Sequence, residues 1–169
     1  QYVYIYGPGN LRLLSFDSGE GSLTWNQRDF SGKILRTWRH TGSLDVSSPA
    51  SIYQHDKDYL YGPQGMFASY SAAGEIAYFH NDHLGSPRLI TNELGQAIGR
   101  HHYYPVGDEV FPGTPYDDRI CKFTGHERDP NQGTDYMLGR TYVFSFQRFM
   151  SVDPGRDGWN LYAYVGNNP

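Results

Sequence analysis

The chain of 169 residues has one cysteine, Cys121, so no internal disulfide is available and the fold must be held by packing and hydrogen bonds. Cys121 with His126 could be drawn as a thiol and its base, but five residues apart in a strand-turn context they define no geometry, and a small strand residue is the simpler reading. There is no long apolar run and no lipidation signal, which speaks against membrane insertion. Charged residues are only 19% of the chain, the net charge is −4, and no basic run appears. That balance excludes nucleic acid or an anionic membrane surface as the main partner, because both need clustered lysine and arginine. No helical heptad or amphipathic stripe of useful length occurs, which disfavours all-α and α/β architectures. The chain opens on Gln1 without a leader and reads as a segment cut from a longer polypeptide.

What the chain has in quantity is aromatics and turn formers: 16% aromatic residues with fifteen tyrosines, twenty glycines and ten prolines. This is the composition of many short strands joined by turns, so the expected class is all-β. The opening YVYIYGPGNLRLLSF places β-rich runs on both sides of Gly7-Pro8-Gly9-Asn10 and reads as a hairpin. Tyr4 to Pro8 (YIYGP) is nearly repeated at Tyr59 to Pro63 (YLYGP), and Leu84-Gly85 recurs as Leu94-Gly95. Asp29 to Leu35 (DFSGKIL) has the aromatic, glycine and branched-apolar spacing of a similar unit. A series of degenerate strand-turn units implies a repeat architecture, in which each unit buries its apolar face only against its neighbours. Arg39 to Asp58 and Gly107 to Arg119, polar and irregular, are expected to be long surface loops.

The C-terminal stretch carries the densest pattern. Arg140 to Ser151 alternates, with Tyr142, Phe144 and Phe146 on one face, and predicts a half-buried strand that stops at Asp153-Pro154. Trp159 to Val165 fits either alternation or a short helix capped by Asn160 and ended by Gly166, and the helix is slightly favoured.

Three ordered blocks carry a resemblance: His80 to Ile90 (HNDHLGSPRLI), Tyr103 to Val110 with Phe123 to Asp129 (YYPVGDEV, FTGHERD), and the series RxY, RFxSxDP and NLYAYVxNNP from Arg140 to Pro169. In this order they resemble the C-terminal core of the Rhs or YD-repeat proteins, which include polymorphic toxins, insecticidal toxin C components and, more distantly, teneurins. The resemblance covers Tyr78 to Pro169 closely. It departs from the family at Thr141 to Gln147 (TYVFSFQ), where a pattern like YYDPxxG would stand. It implies degenerate YD-like repeats over 1–77 and an Rhs-associated core over 78–169, one continuous unit within a spiral β-sheet shell, extracellular, secreted or at a cell surface. Its partners would be the rest of the shell and a C-terminal toxin cargo. The matching positions are Asp82, Gly85 and Gly107 in turns, and Arg140, Tyr142, Arg148, Phe149, Asp153, Pro154, Asn160, Tyr162, Asn167, Asn168 and Pro169 in the core motif.

Three chemistries stand beside that structural role. His80, Asp82 and His83, with His101 and His102, contain metal-ligand types but no second ligand pair at a recognised spacing, and Asn81 and Asp82 suit a turn; no metal and no cofactor is expected. Many Rhs cores are aspartyl autoproteases, and Asp153 and Asp157 are the candidate carboxylates. Two carboxyls sharing a proton let one activate water while the other protonates the carbonyl, although the family's further aspartate falls beyond Pro169. Trp25, Trp38, Tyr53 and Tyr70 could present a platform for glycans on an adhesion module, while rings at strand spacing are more often core. The uncharged strand Tyr2 to Tyr6 is expected to drive self-association through its free edge.

Overall fold

The computed structural model describes residues 2–41, 53–110, 122–129, 132–156 and 158–168. Among them there are thirteen β-strands, three single-turn 3-10 segments and no α-helix. A first sheet holds, in chain order, β1 (Tyr2–Tyr6), β2 (Arg12–Asp17), β3 (Ser22–Arg28), β4 (Ile34–Thr41), β5 (Gln54–Gly62), β6 (Gly65–Ser71), β7 (Ile76–Asn81), β8 (Pro87–Asn92) and β9 (Ala97–Arg100). A second holds β10 (Glu127–Asp129), β11 (Thr134–Met137), β12 (Arg140–Val143) and β13 (Arg148–Phe149), again in chain order. Both sheets are antiparallel, so the all-β expectation holds. The chain divides into two compact units, one of Gln1–Leu60 with Ala68–Ala77 and one of Tyr61–Phe67 with Tyr78–Pro169.

One turn recurs and explains why strands follow at such short intervals. At Asp29–Gly32, Ser71–Gly74, Asp82–Gly85, Asn92–Gly95, Tyr104–Gly107 and Lys122–Gly125, the first residue's N–H donates to the carbonyl four residues on, at 2.8 to 3.0 Å. The glycine N–H donates back to the first residue's carbonyl at 2.8 to 3.1 Å. All six glycines have φ between +72° and +95°, the left-handed region that closes a hairpin with a bulge. Where the first residue is Asp29, Asp82 or Asn92, its Oδ1 also accepts the N–H groups two and four residues on, at 2.9 to 3.1 Å. The repeated Leu-Gly dipeptides are the third and fourth residues of two of these turns.

The first unit packs around Ile34, Tyr59, Ala68 and Ala77, each no more than 5% exposed. Arg12 is also buried, with its guanidinium 3.9 Å from the Tyr4 ring centroid. Its carbonyl accepts hydrogen bonds from Arg28 Nε at 2.8 Å and Asn26 Nδ2 at 3.4 Å. The opening hairpin is as expected, with Tyr2 opposite Asp17 and Ile5 opposite Leu14.

Three expectations need correction. Arg39–Thr41 and Gln54–Asp58 belong to β4 and β5, where Arg39 faces Gln54 and Arg36 faces Asp58; between the strands stand 42–53, of which 42–52 lie outside the described residues. The long strand over 140–151 is a hairpin: β12 ends at Val143, Gln147 N–H donates to the Phe144 carbonyl at 3.2 Å, and Gln147 takes φ +57°. The alternation Phe-Ser-Phe-Gln imitates a strand here although these four residues make the turn, with Phe146 left 75% exposed. Trp159 to Val165 forms no helix. Phe149 N–H donates to the Tyr162 carbonyl at 3.0 Å and Asp153 N–H to the Leu161 carbonyl at 2.8 Å, so the segment spends these carbonyls on β13 and on the Asp153 turn. Of the second expected loop, 107–110 completes the Tyr104 turn and forms the Tyr103–Glu109 bridge, while 111–119 lies outside the described residues.

Two glycine substitutions separate backbone strain from crowding. A Cβ on Gly95 meets nothing within 4 Å, so Gly95→Ala should cost only the left-handed penalty, about 1–2 kcal/mol. A Cβ on Gly107 falls 2.5 Å from Phe123 Cδ1, so Gly107→Ala should lower the denaturation midpoint clearly more than Gly95→Ala in the same urea titration. Equal shifts would refute the crowding.

Candidate functional site

The second unit buries a set of charges that its short strands bring together. Arg128 on β10 and Asp135 on β11 are register partners across one hairpin. Arg128 Nε donates to Asp135 Oδ1 at 2.7 Å and Nη2 to Oδ2 at 2.9 Å, a two-pronged pair with both side chains at 6% exposure or less. The same Nη2 donates to the Gly107 carbonyl at 2.7 Å, tying the pair to the Tyr104–Gly107 turn. Next to this turn, Glu109 lies 3.7 Å from Arg128 Nη1 and its Oε1 is 2.6 Å from His101 Nδ1. Lys122 Nζ is 3.5 Å from the same nitrogen, and His101 is 1% exposed. Burial pushes the Asp135 carboxyl up, against the pull of the Arg128 guanidinium. Burial also raises Glu109, but His101, Lys122 and Arg128 around it outweigh that and hold its carboxyl below its ordinary range.

An aromatic cluster covers this network. Tyr142 is fully buried on β12 and donates its hydroxyl to the Val106 carbonyl at 2.8 Å; burial pushes the phenol up to about 12. Its ring centroid lies 4.8 Å from Tyr164 and 5.5 Å from Phe149, and Tyr164 meets Phe123 at 6.0 Å. The Arg140 guanidinium sits 3.6 Å from the Phe149 centroid and its Nη1 is 3.3 Å from Asp153 Oδ2.

The structure therefore gathers much of the core motif at one place. Arg140, Tyr142, Phe149 and Asp153 touch as above. Arg148 bridges to Ala163 from an exposed position. Asp153 Oδ1 accepts the Gly155 N–H at 2.8 Å, forming the turn that holds exposed Pro154. Its cationic partner is Arg140, thirteen positions back in the chain. Asn160 Oδ1 accepts the Tyr162 N–H at 3.2 Å, and Tyr162 itself is 43% exposed. Asn167 and Asn168 close the last 3-10 turn through the Tyr164 and Val165 carbonyls. Pro169, Asp157 and Cys121 lie outside the described residues.

Asp82, Gly85 and Gly107 occupy their turns, and Asp82 Oδ2 also accepts Arg88 Nε at 2.8 Å. His80 Nε2 is 3.0 Å from Thr91 Oγ1, apart from the His101 network, and no three histidine, cysteine or acidic side chains converge among the described residues. In the first unit, Trp25 meets Trp38 at 6.3 Å and Tyr53 at 6.1 Å, so these rings spend contact area on one another; Tyr70 is 43% exposed.

The blocks FTGHERD and YYPVGDEV contain Arg128 and Glu109, but sequence reasoning did not single them out. The usable signal was the hairpin pairing that sets the arginine of ERD opposite the aspartate of TDY.

No family model matches the chain. It is 27% identical over 157 residues to the tRNA3(Ser)-specific nuclease WapA of Bacillus spizizenii, covering 85% of this chain and 6% of that protein. It is 36% identical over 105 residues to the toxin protein Tse5 of Pseudomonas aeruginosa, covering 58% of this chain and 8% of that one. The fold superposes on the structure of TcdB2-TccC3 without its hypervariable C-terminal region with a TM-score of 0.71 at 21% identity, over 99% of this chain and 8% of that one. Both sheets are antiparallel, and what the chain shares with the TccC3-containing structure at 21% identity is the fold. In sequence the chain is similar to Rhs-type toxin proteins, and it spans less than a tenth of the length of each of these three proteins.

The charge network makes a signed prediction. A carboxyl whose folded value is depressed adds stability above its unfolded value, and that stability is lost as the pH falls through the folded one. Glu109 should therefore contribute at neutral pH and fade below its ordinary 4.5, whereas the raised Asp135 changes stability in the opposite sense. The difference between wild type and Glu109→Gln, followed by urea denaturation from pH 7 to pH 3, should shrink as the pH drops. A constant difference would remove Glu109 from the network. Arg128→Met, which leaves Asp135 buried without its partner, should cost about 3–5 kcal/mol at pH 7.

Proposed function

We propose that the chain is a wall-and-closure segment of a YD-repeat shell that encloses a toxin cargo carried by the same longer polypeptide. Residues 1–77 supply repeat wall and residues 78–169 supply the closing core, acting together in a secreted or cell-surface protein. The observation that carries this reading is the array itself. Strands lie side by side in chain order within each sheet, most of them joined to the next through a tight turn, so wall area grows with chain length. The likeness in fold to the TccC3-containing structure over 99% of the chain supports it.

The test is limited proteolysis of the longer polypeptide. The region following residue 169 should resist trypsin while the shell is intact and become sensitive when Arg128→Met opens the closing unit. Equal sensitivity in both proteins would overturn an enclosing role.

Self-association is part of the same reading. β1 stands first in its sheet, and Val3 and Ile5 on it are 49% and 53% exposed. The isolated chain should associate at high concentration in sizing chromatography with light scattering, and Val3→Lys with Ile5→Lys should return it to monomer. A wild-type chain that stays monomeric would remove edge pairing.

A further inference from the structure

The chain holds guanidinium groups in a repeated way. In the second unit, Arg128 lies 4.3 Å from the Phe144 centroid and pairs with Asp135. Arg140 lies 3.6 Å from Phe149 and pairs with Asp153, and Arg88 lies 5.4 Å from Tyr103 and pairs with Asp82. In the first unit, Arg36 lies 5.4 Å from Trp38 and pairs with Asp58. Each cation has an aromatic ring against its delocalised charge and an aspartate at its N–H edge. A weakly hydrated planar cation favours this combination, and a lysine ammonium meets it less well.

A groove of about 380 Å³ in the second unit presents the same pair of groups to solvent. It runs between the Tyr104–Gly107 turn and the 144–147 turn, with Tyr104 and Phe144 as aromatic walls, Val106 between them and Asp108, Ser145 and Gln147 among its polar lining. Tyr104 is 53% exposed, and Asp108 is exposed as well. The Asp108 Oδ1 accepts the Glu109 N–H at 2.9 Å, and among the described residues no arginine or lysine pairs with this carboxylate. The two turns are fixed relative to one another by the Tyr142 hydroxyl bond to Val106, so the walls are held apart before anything enters.

We infer that this groove is a recognition site for an arginine side chain on another polypeptide segment. The stem lies along Tyr104 and Phe144 and the guanidinium meets Asp108, with the Ser145 hydroxyl and the Gln147 amide oxygen as further acceptors. The volume is at the small end of ligand sites and suits one side chain with its flanking backbone, not a folded domain. The inference concerns the groove alone and stands whether or not the chain serves as shell wall.

The test is a titration of the isotope-labelled 169-residue chain with Nα-acetyl-arginine amide, followed by amide shifts in nuclear magnetic resonance. Nα-acetyl-citrulline amide, the neutral isostere, is the control. Arginine amide should shift the amides of 105–109 and 144–147 saturably in the millimolar range, and citrulline amide should shift them much less. Asp108→Asn keeps the oxygen that accepts the Glu109 N–H, so the turn survives, and it should weaken arginine binding about two- to fivefold, as loss of an exposed ion pair does. Tyr104→Ala, which removes an exposed wall, should weaken it comparably. Equal responses to arginine and citrulline, no saturable response, or full affinity in Asp108→Asn with an unchanged spectrum would each overturn the assignment.

Discussion

The structure depends on a turn in which the backbone must enter the left-handed region at its fourth residue. At Gly32, Gly74, Gly85 and Gly95 the same two backbone hydrogen bonds close the hairpin and fix which residues of the flanking strands face each other, and the same turn recurs at Gly107 and Gly125. Because side chains alternate with period two, a slip of one residue would turn each strand inside out. The Asp29, Asp82 and Asn92 side chains reduce that freedom further by accepting two N–H groups each. Register is thus set locally, turn by turn. An array whose register is local does not need a thick core to specify it, which fits a chain that is only 38% hydrophobic.

The second unit adds what local turns cannot give, a constraint between segments distant in sequence. Arg128 reaches Asp135 across one hairpin and the Gly107 carbonyl from another. The Tyr142 hydroxyl reaches the neighbouring Val106 carbonyl from β12. Both bonds end on the Tyr104–Gly107 turn, so the 101–109 segment and the four-stranded sheet are held at one place by a buried cation and a buried phenol. Burying Arg128 and Asp135 costs desolvation that their mutual attraction offsets only when the geometry is good. Two prongs at 2.7 and 2.9 Å and a third bond to a carbonyl meet that condition.

Much of the fold was legible because turn chemistry is written in single residues. The opening hairpin, the all-β class and the Leu-Gly turns follow from glycine, asparagine and aspartate at fixed offsets. Errors arose where apolar residues took a turn's place or polar residues a strand's. Phe144 to Gln147 make a turn that needs Gln147 at φ +57°, which no composition rule favours. Arg36 and Arg39 are strand residues that satisfy their charge on Asp58 and Glu20, so polarity did not mark a loop. The core motif was legible as a set, yet its contacts were not. Asp153 meets Arg140, thirteen positions back, because the 140–149 hairpin and the return segment bring the two together, a contact that spacing in the sequence does not mark.

The ring-and-aspartate treatment of arginine links these observations. A chain rich in tyrosine and poor in aliphatic residues has many half-exposed aromatic faces, and a guanidinium laid on such a face covers apolar area while keeping hydrogen-bond donors for a carboxylate. Arg36, Arg88, Arg128 and Arg140 each do this between elements that the turns alone would leave unlinked. Arg140 spans β12, β13 and the Asp153 turn; Arg88 spans β8, the Asp82 turn and Tyr103. Charge is scarce in this sequence, and a share of it is spent as clamps. A substitution that keeps the charge but loses the plane, arginine to lysine, would leave the ion pair and weaken the clamp, because the ammonium has neither the flat face for the ring nor the fork for the carboxylate.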